Sequence, residues 1–294
     1  MTERHATNGK GLSAILFGST LVGFSAIFVK WSVAGGATAL TVGFYRMLFA
    51  LPGAWLLARR AGHLGGPRGR AWALAAGLAF FGDLALWHQS MHFTTAANAT
   101  LLVTGLSPIW VALFSVVVYH RRLGWIGWLG QAVGVTGALV LALARGAHPS
   151  GGAGEAIAIG ASVAYAAFTL VMSRARATLT APQALFWMSL SCLVCFGVGM
   201  VVAGHPQAGY DNRAWLSLVG LGLVVQLVGW WFNSWGLGHV DPAVGAICLQ
   251  MQQVATLFLA AWLLAEPLRA LGLLGGGLLM SGIVLVTLGS TRAR

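Results

Sequence analysis

Long apolar runs, each closed by a short polar or turn-forming break, recur along the whole 294-residue chain. They fall at residues 11–33, 38–58, 71–92, 95–119, 124–144, 154–173, 183–203, 213–236, 242–265 and 269–290. A helix rises about 1.5 Å per residue, so a run of about 20 residues crosses the ~30 Å hydrocarbon core of a bilayer. The pattern therefore predicts an all-α polytopic membrane protein with ten transmembrane helices. The breaks are built from residues that end helices: Ala34-Gly35-Gly36, Gly62 to Arg70, His120-Arg121-Arg122, His148 to Gly154, Gly204 to Asp211 and His239 to Pro242. The first run, from Gly11 to Val33, lacks an A-x-A cleavage site and is expected to remain as the first helix.

The pattern repeats at an offset of about 145 residues. Thr94 to Val103 (TTAANATLLV) before helix four matches Val240 to Leu249 (VDPAVGAICL) before helix nine, and Val135-Thr136-Gly137 matches Met280-Ser281-Gly282. Each half holds five helices, an odd number, so the second half enters the membrane from the opposite face. The expected organisation is an N-terminal tail at 1–10, a first five-helix repeat at 11–144, an outer connecting loop at 145–153, a second, inverted repeat at 154–290 and a C-terminal tail at 291–294. Transporters built this way bind their solutes near midplane, where the halves meet.

Composition agrees. Only 8% of residues are charged and 58% are hydrophobic, with a mean hydropathy of +0.81, whereas soluble chains carry about 25% charged residues. The net charge of +11 would suggest nucleic acid if the basic residues formed one patch. They lie instead between apolar runs. On alternate sides of ten helices, Arg4, Lys10, Arg59, Arg60, Arg68, Arg70, Arg121, Arg122, Arg174, Arg176, Arg292 and Arg294 fall on one side. Lys30, Arg145, Arg213 and Arg269 fall on the other, and Arg46 lies inside a run. This bias predicts a bacterial-type inner membrane protein with both termini in the cytoplasm, and no nucleic-acid partner. Cys192, Cys195 and Cys248 all sit in apolar runs without further ligand residues and read as small core residues, so no metal or cofactor is called for.

Phe80 to Pro108 concentrates polar groups that lipid makes expensive: Asp83, His88, Gln89 and Asn98. An aspartate at a helix centre costs about 2.5–3.5 kcal/mol, so such residues are expected to face a cavity or each other. Arg46 in helix two and Asp83 in helix three fall at similar depth and are expected to approach. They form either a structural ion pair between the two helices or a site for a substrate's carboxylate and ammonium. Trp87 and His88 lie a turn above Asp83, and the repeat counterpart of His88 is Asn233. Ser107-Pro108 brings helix four across midplane, where helix nine offers Gln250, Gln252 and Gln253; these amides either bind a zwitterion or bond to neighbouring backbone. Phe24 and Ser25, Tyr165 and Phe168, and Gln226 and Trp230 complete a candidate pocket walled by rings, as apolar ligand sites usually are. Trp31, Trp55, Trp72 and Trp125 lie at span ends and read as interface belt. The glycine faces of helices five (Gly127, Gly130, Gly134, Gly137) and ten (Gly272, Gly276, Gly282) serve either the fold or a homodimer contact.

These residues carry a family resemblance. Phe-Tyr-Arg-Met-Leu at 44–48, Leu-Ser-Pro-Ile-Trp-Val-Ala-Leu at 106–113 and Ala-Glu-Pro-Leu at 265–268, with the two five-helix halves, resemble the drug/metabolite transporter superfamily, EamA type. The resemblance covers nearly all of the chain. Trp87-His88 is similar to exporters of aromatic and other neutral amino acids. Where family members often close helix four with a glutamate, as Glu266 closes helix nine, this chain has His120-Arg121-Arg122. The resemblance implies helices one, three, four, six, eight and nine around a central cavity that opens alternately to each side. The function expected is a secondary transporter exporting aromatic or neutral amino acids and related small metabolites across the inner membrane by alternating access, with the small amino-acid substrate and the lipid bilayer as its partners. Other small organic solutes of drug or nucleotide-sugar type are the alternative. A lipid-modifying intramembrane enzyme is disfavoured, because Asp83 and His88 stand about 140° apart on one helix. No G-x-x-x-x-G-K-[ST] loop offers ATP drive.

Overall fold

The computed structural model describes residues 8–62, 64–90, 93–94, 96–119, 124–144, 146, 151–204 and 208–292. Arg4, Arg121, Arg122, Arg145 and Arg294, used above to orient the chain, lie outside them. Ten helical spans are long and apolar enough to cross a membrane: Gly9–Ala34 (α1), Ala39–Arg60 (α2), Pro67–Ser90 (α3), Asn98–Val117 (α4), Trp125–Ala144 (α5), Ala153–Arg176 (α6), Ala181–Val202 (α7), Asn212–Leu237 (α8), Pro242–Leu264 (α9) and Ala270–Gly289 (α10). No strand occurs among the described residues. Side chains such as Val117, Val202, Leu216 and Trp262, each more than two-thirds exposed, face outward and form a lipid-facing surface.

Local chemistry starts several spans. Thr38, Asp211 and Asp241 each accept a backbone N–H of the first turn, satisfying donors the helix leaves unpaired. Thr180 and Gln183 form a capping box, with the Thr180 N–H donating to Gln183 Oε1 at 2.9 Å. Gly36 takes φ +95° in the tight α1–α2 turn, a conformation an L side chain resists. Three spans are not continuous α-helices. α1 breaks between Gly9–Val22 and Ser25–Ala34, α9 breaks at Gln250, and α8 passes through a π-helical stretch at Leu221–Gly229.

The inverted repeat governs packing. α1 packs on α8 as α6 packs on α3, α2 on α8 as α7 on α3, and α9 on α1 as α4 on α6, while α2–α7 and α5–α10 pair across the symmetry axis. In the α5–α10 pair a Cβ added at Gly282 would lie 2.4 Å from the Gly134 backbone, and one at Gly130 would lie 2.5 Å from the Val286 nitrogen. These glycines are used inside the chain, where backbones touch, which takes them away from a dimer contact. α2 and α3 meet only slightly; α7 packs extensively on both. Of the expected belt residues, Trp55, Trp72 and Trp31 lie under the guanidinium groups of Arg59, Arg174 and Arg213 at 4.9, 5.2 and 4.5 Å.

Candidate functional site

The symmetry of packing fails in one respect, and the failure locates the site. At the end of the bundle holding the chain termini, the Trp230–Leu237 part of α8 and the Pro242–Leu249 part of α9 both pack on α6, and Pro242–Leu249 also packs on α4. The equivalent contacts at the opposite end would join α1 to α3 and α1 to α4. Among the described residues these helices are not packed together, nor does Met251–Leu264 pack on α4. The bundle is thus closed at the termini end and its halves part toward the far end. Arg176 pins the closed end: its Nε donates to the Ser234 carbonyl at 2.9 Å and its Nη1 to the Leu179 carbonyl.

Polar groups gather in the packed interior between α2, α7 and α8. Arg46, 6% exposed, donates from Nε to Gln226 Oε1 at 2.9 Å, and Gln226 Nε2 donates to Ser189 Oγ at 3.3 Å. The π-helical stretch presents Gln226 to α2, and such stretches often mark functional sites. The expected ion pair between Arg46 and Asp83 does not form. Asp83 is 4% exposed and close enough to feel the Arg46 charge, yet the one ion pair among the described residues joins Lys30 and Glu266. Arg46 does reach α3, its guanidinium lying 5.6 Å from the Phe80 ring centroid, but its Nε is taken by the nearer Gln226 oxygen of α8.

Four buried polar atoms lack a hydrogen-bond partner here: Asp83 Oδ1, the Tyr165 hydroxyl, Trp230 Nε1 and Gln250 Oε1. Such atoms are uncommon in native interiors and call for an explanation. Three of them border one aromatic cluster. Phe80 lies 4.9 Å from Phe168 and 5.3 Å from Trp230, Phe168 lies 5.1 Å from Trp230, and Tyr165 lies 5.8 Å from Phe168 with the rings tilted. Asp83 follows Phe80 by three residues, less than one turn along α3. The Gln252 amide approaches the Tyr165 hydroxyl without reaching hydrogen-bond geometry. Gln250 Nε2 donates to Ser107 Oγ at 3.4 Å, so α4 and α9 meet at matching depth.

Of the expected site residues, Tyr165, Phe168 and Trp230 share this centre and Ser107 pairs with Gln250. Gln226 stands beside the centre as the partner of Arg46. Gln253, 9% exposed, lies along α9 toward the far end. Trp87 and His88 are half-buried above Asp83, with ring centroids 4.9 Å apart and Trp87 Nε1 donating to Thr100 Oγ1 at 3.3 Å. Phe24 and Ser25 flank the break in α1, half-buried, with Phe24 stacked on Phe28 at 6.0 Å. Asn98 stands apart: it donates to Thr94 Oγ1 at 3.0 Å and Glu155 Oε1 at 3.3 Å, in a knot that ties the α3–α4 turn to the start of α6. Phe80 and Ser189 belong to the centre and were not expected there; an apolar ring and a lone serine in lipid-like runs give no signal of their own.

One solved crystal structure superimposes with a TM-score of 0.80 over 96% of this chain and 99% of its own, at 18% identity, a likeness of fold. A protein of Streptantibioticus cattleyicolor named "Probable terminal-alkyne amino-acid exporter" is 29% identical over 251 residues, 80% of this chain and 82% of the relative. The model of the EamA-like transporter family matches twice, at residues 9–143 and 152–288, once for each half. With both halves matched, this chain is a member of the EamA-like transporter family.

Proposed function

We propose that the chain exports neutral and aromatic amino acids across a bacterial inner membrane by alternating access, carrying rather than transforming them. The observation that supports the reading best is the set of unpartnered atoms between the halves. Asp83 Oδ1 and Gln250 Oε1 are acceptors, Trp230 Nε1–H is a donor, and the Tyr165 hydroxyl is either. A zwitterion supplies what they lack: an ammonium for the two acceptors and a carboxylate for the two donors. In a water-poor site those bonds are strong, and Phe80, Phe168 and Trp230 provide the wall for an apolar side chain. The exporter name of the Streptantibioticus relative points the same way.

Twelve basic residues on one side against four on the other favour cytoplasmic termini, so the parted end faces outward, ready to release solute. Purified protein in liposomes is expected to exchange labelled phenylalanine, threonine or methionine against the same amino acid inside. Exchange of a nucleotide sugar or cationic drug with no amino-acid exchange selects the alternative solutes. Retention no better than empty vesicles for every solute rejects transport.

A further inference from the structure

One face of α9 runs from Gln253 toward the far end and at Leu257 is turned to Gly272 and Gly276 of α10. In Met251–Leu264, Gln253, Leu257, Ala260 and Leu264 recur at the three- and four-residue spacing that keeps side chains on one side of a helix. Phe258 and Trp262, 51% and 77% exposed, occupy the opposite side and face outward. A cavity of about 420 Å3, within the size range of small-ligand sites, sits at the far end of the Leu257 face, between α1, α9 and α10. Ile27 and Lys30 of α1, Leu257 and Ala260 of α9, and Glu266 and Arg269 of the α9–α10 turn line it. At its base Thr256 donates its hydroxyl to the Gly23 carbonyl at 2.9 Å, bracing the break in α1.

The mouth is charged and its walls are apolar. Lys30 Nζ lies 2.9 Å from Glu266 Oε1, with the two side chains 59% and 50% exposed. Arg269 Nη1 donates to the Ala144 carbonyl at 3.4 Å, so the mouth holds two cations and one carboxylate. Ala265, at φ +53°, is the one non-glycine residue in the left-handed region among the described residues, and it turns the chain where Glu266 reaches back to α1. An exposed ion pair is weakly held. A solute with both charges replaces it without leaving either partner unmatched, setting its ammonium on Glu266 and its carboxylate on Lys30 and Arg269. A solute with one charge leaves a partner unmatched.

We propose that this cavity is a second, peripheral station for a zwitterionic amino acid on its way between the buried cluster and the far face, its side chain resting on Leu257, Ala260 and Leu264. The proposal rests on the amino-acid reading above. Equilibrium binding of labelled phenylalanine to the full chain in nanodiscs tests it. The wild type is expected to bind two molecules per chain, and Glu266→Gln combined with Arg269→Gln to bind one with unchanged thermal stability, since both side chains are exposed. Asp83→Asn is expected to keep the peripheral molecule. Phenethylamine and phenylpropionate, each with one charge, are expected to compete there at least tenfold more weakly than phenylalanine. One molecule per chain in the wild type, undiminished by the double substitution, overturns the proposal and leaves the central site standing. No binding by any version overturns both.

Discussion

Tyr165→Phe separates packing from binding in the buried cluster. The ring is 8% exposed and packs at a tilt against Phe168 at 5.8 Å, and its hydroxyl lacks a hydrogen-bond partner. Removing the oxygen keeps the ring contacts and relieves a desolvated polar group, a gain of about 1 kcal/mol. By the scaling of soluble domains this raises Tm by about 2–4 °C. With substrate bound, the hydroxyl donates to a carboxylate, a bond worth about 1.5–3 kcal/mol, so Kd is expected to weaken by about ten- to 150-fold. Thermal unfolding without ligand and equilibrium binding of labelled phenylalanine, run on the same preparation, read the two effects separately. Stability up and affinity down supports the cluster as a binding site. A variant that melts higher and binds as tightly as wild type refutes that assignment, and one that melts lower refutes the premise that the hydroxyl is unpartnered in the free protein.

Other outcomes follow from the same contacts. Gln226→Leu removes the neutral acceptor of Arg46 Nε and leaves a buried cation short of a hydrogen bond; a loss of about 1.5–3 kcal/mol should appear as a drop in melting temperature, and Arg46→Met added to it should recover part of that loss. Gly282→Ala places a methyl 2.4 Å from the Gly134 backbone and should destabilise by about 1–3 kcal/mol. Gly277→Ala meets nothing within 4 Å and should be neutral or gain up to about 1 kcal/mol in the same melting assay. Asp83 is not tied to Arg46 by an ion pair, so it is free to serve proton coupling: amino-acid uptake by Asp83→Asn should lose the pH response of the wild type. An unchanged response removes Asp83 as proton carrier.

The ten spans were legible because lipid admits few alternatives: a backbone in hydrocarbon must satisfy its own hydrogen bonds, so each apolar run of about 20 residues becomes a helix. The glycine faces of α5 and α10 were legible as close-packing surfaces, since only small residues let two backbones touch, but nothing in them said that each is the other's partner. The partner of Arg46 was not legible either. Depth along a helix follows from residue count, whereas the neighbour a side chain meets depends on helix rotation and on which partner lies nearer, here Gln226 of α8. The π-helical stretch that presents Gln226 and the break at Gln250 leave no mark in an apolar run that also suits a regular helix. Nor does sequence select the end that stands open, because an inverted repeat encodes both arrangements with nearly the same contacts.

The most direct test of the account is the distance across each end of the bundle, measured by pulsed electron resonance between spin labels with and without saturating phenylalanine. Labels at Thr100 and Leu264 span the far end, where α4 and α9 part, and labels at Val117 and His239 span the closed end. Substrate is expected to populate a state with a shorter far-end distance and a longer termini-end distance, the two changing together. Distances that stay fixed at both ends, or that lengthen at both, contradict a solute path opened alternately between inverted halves.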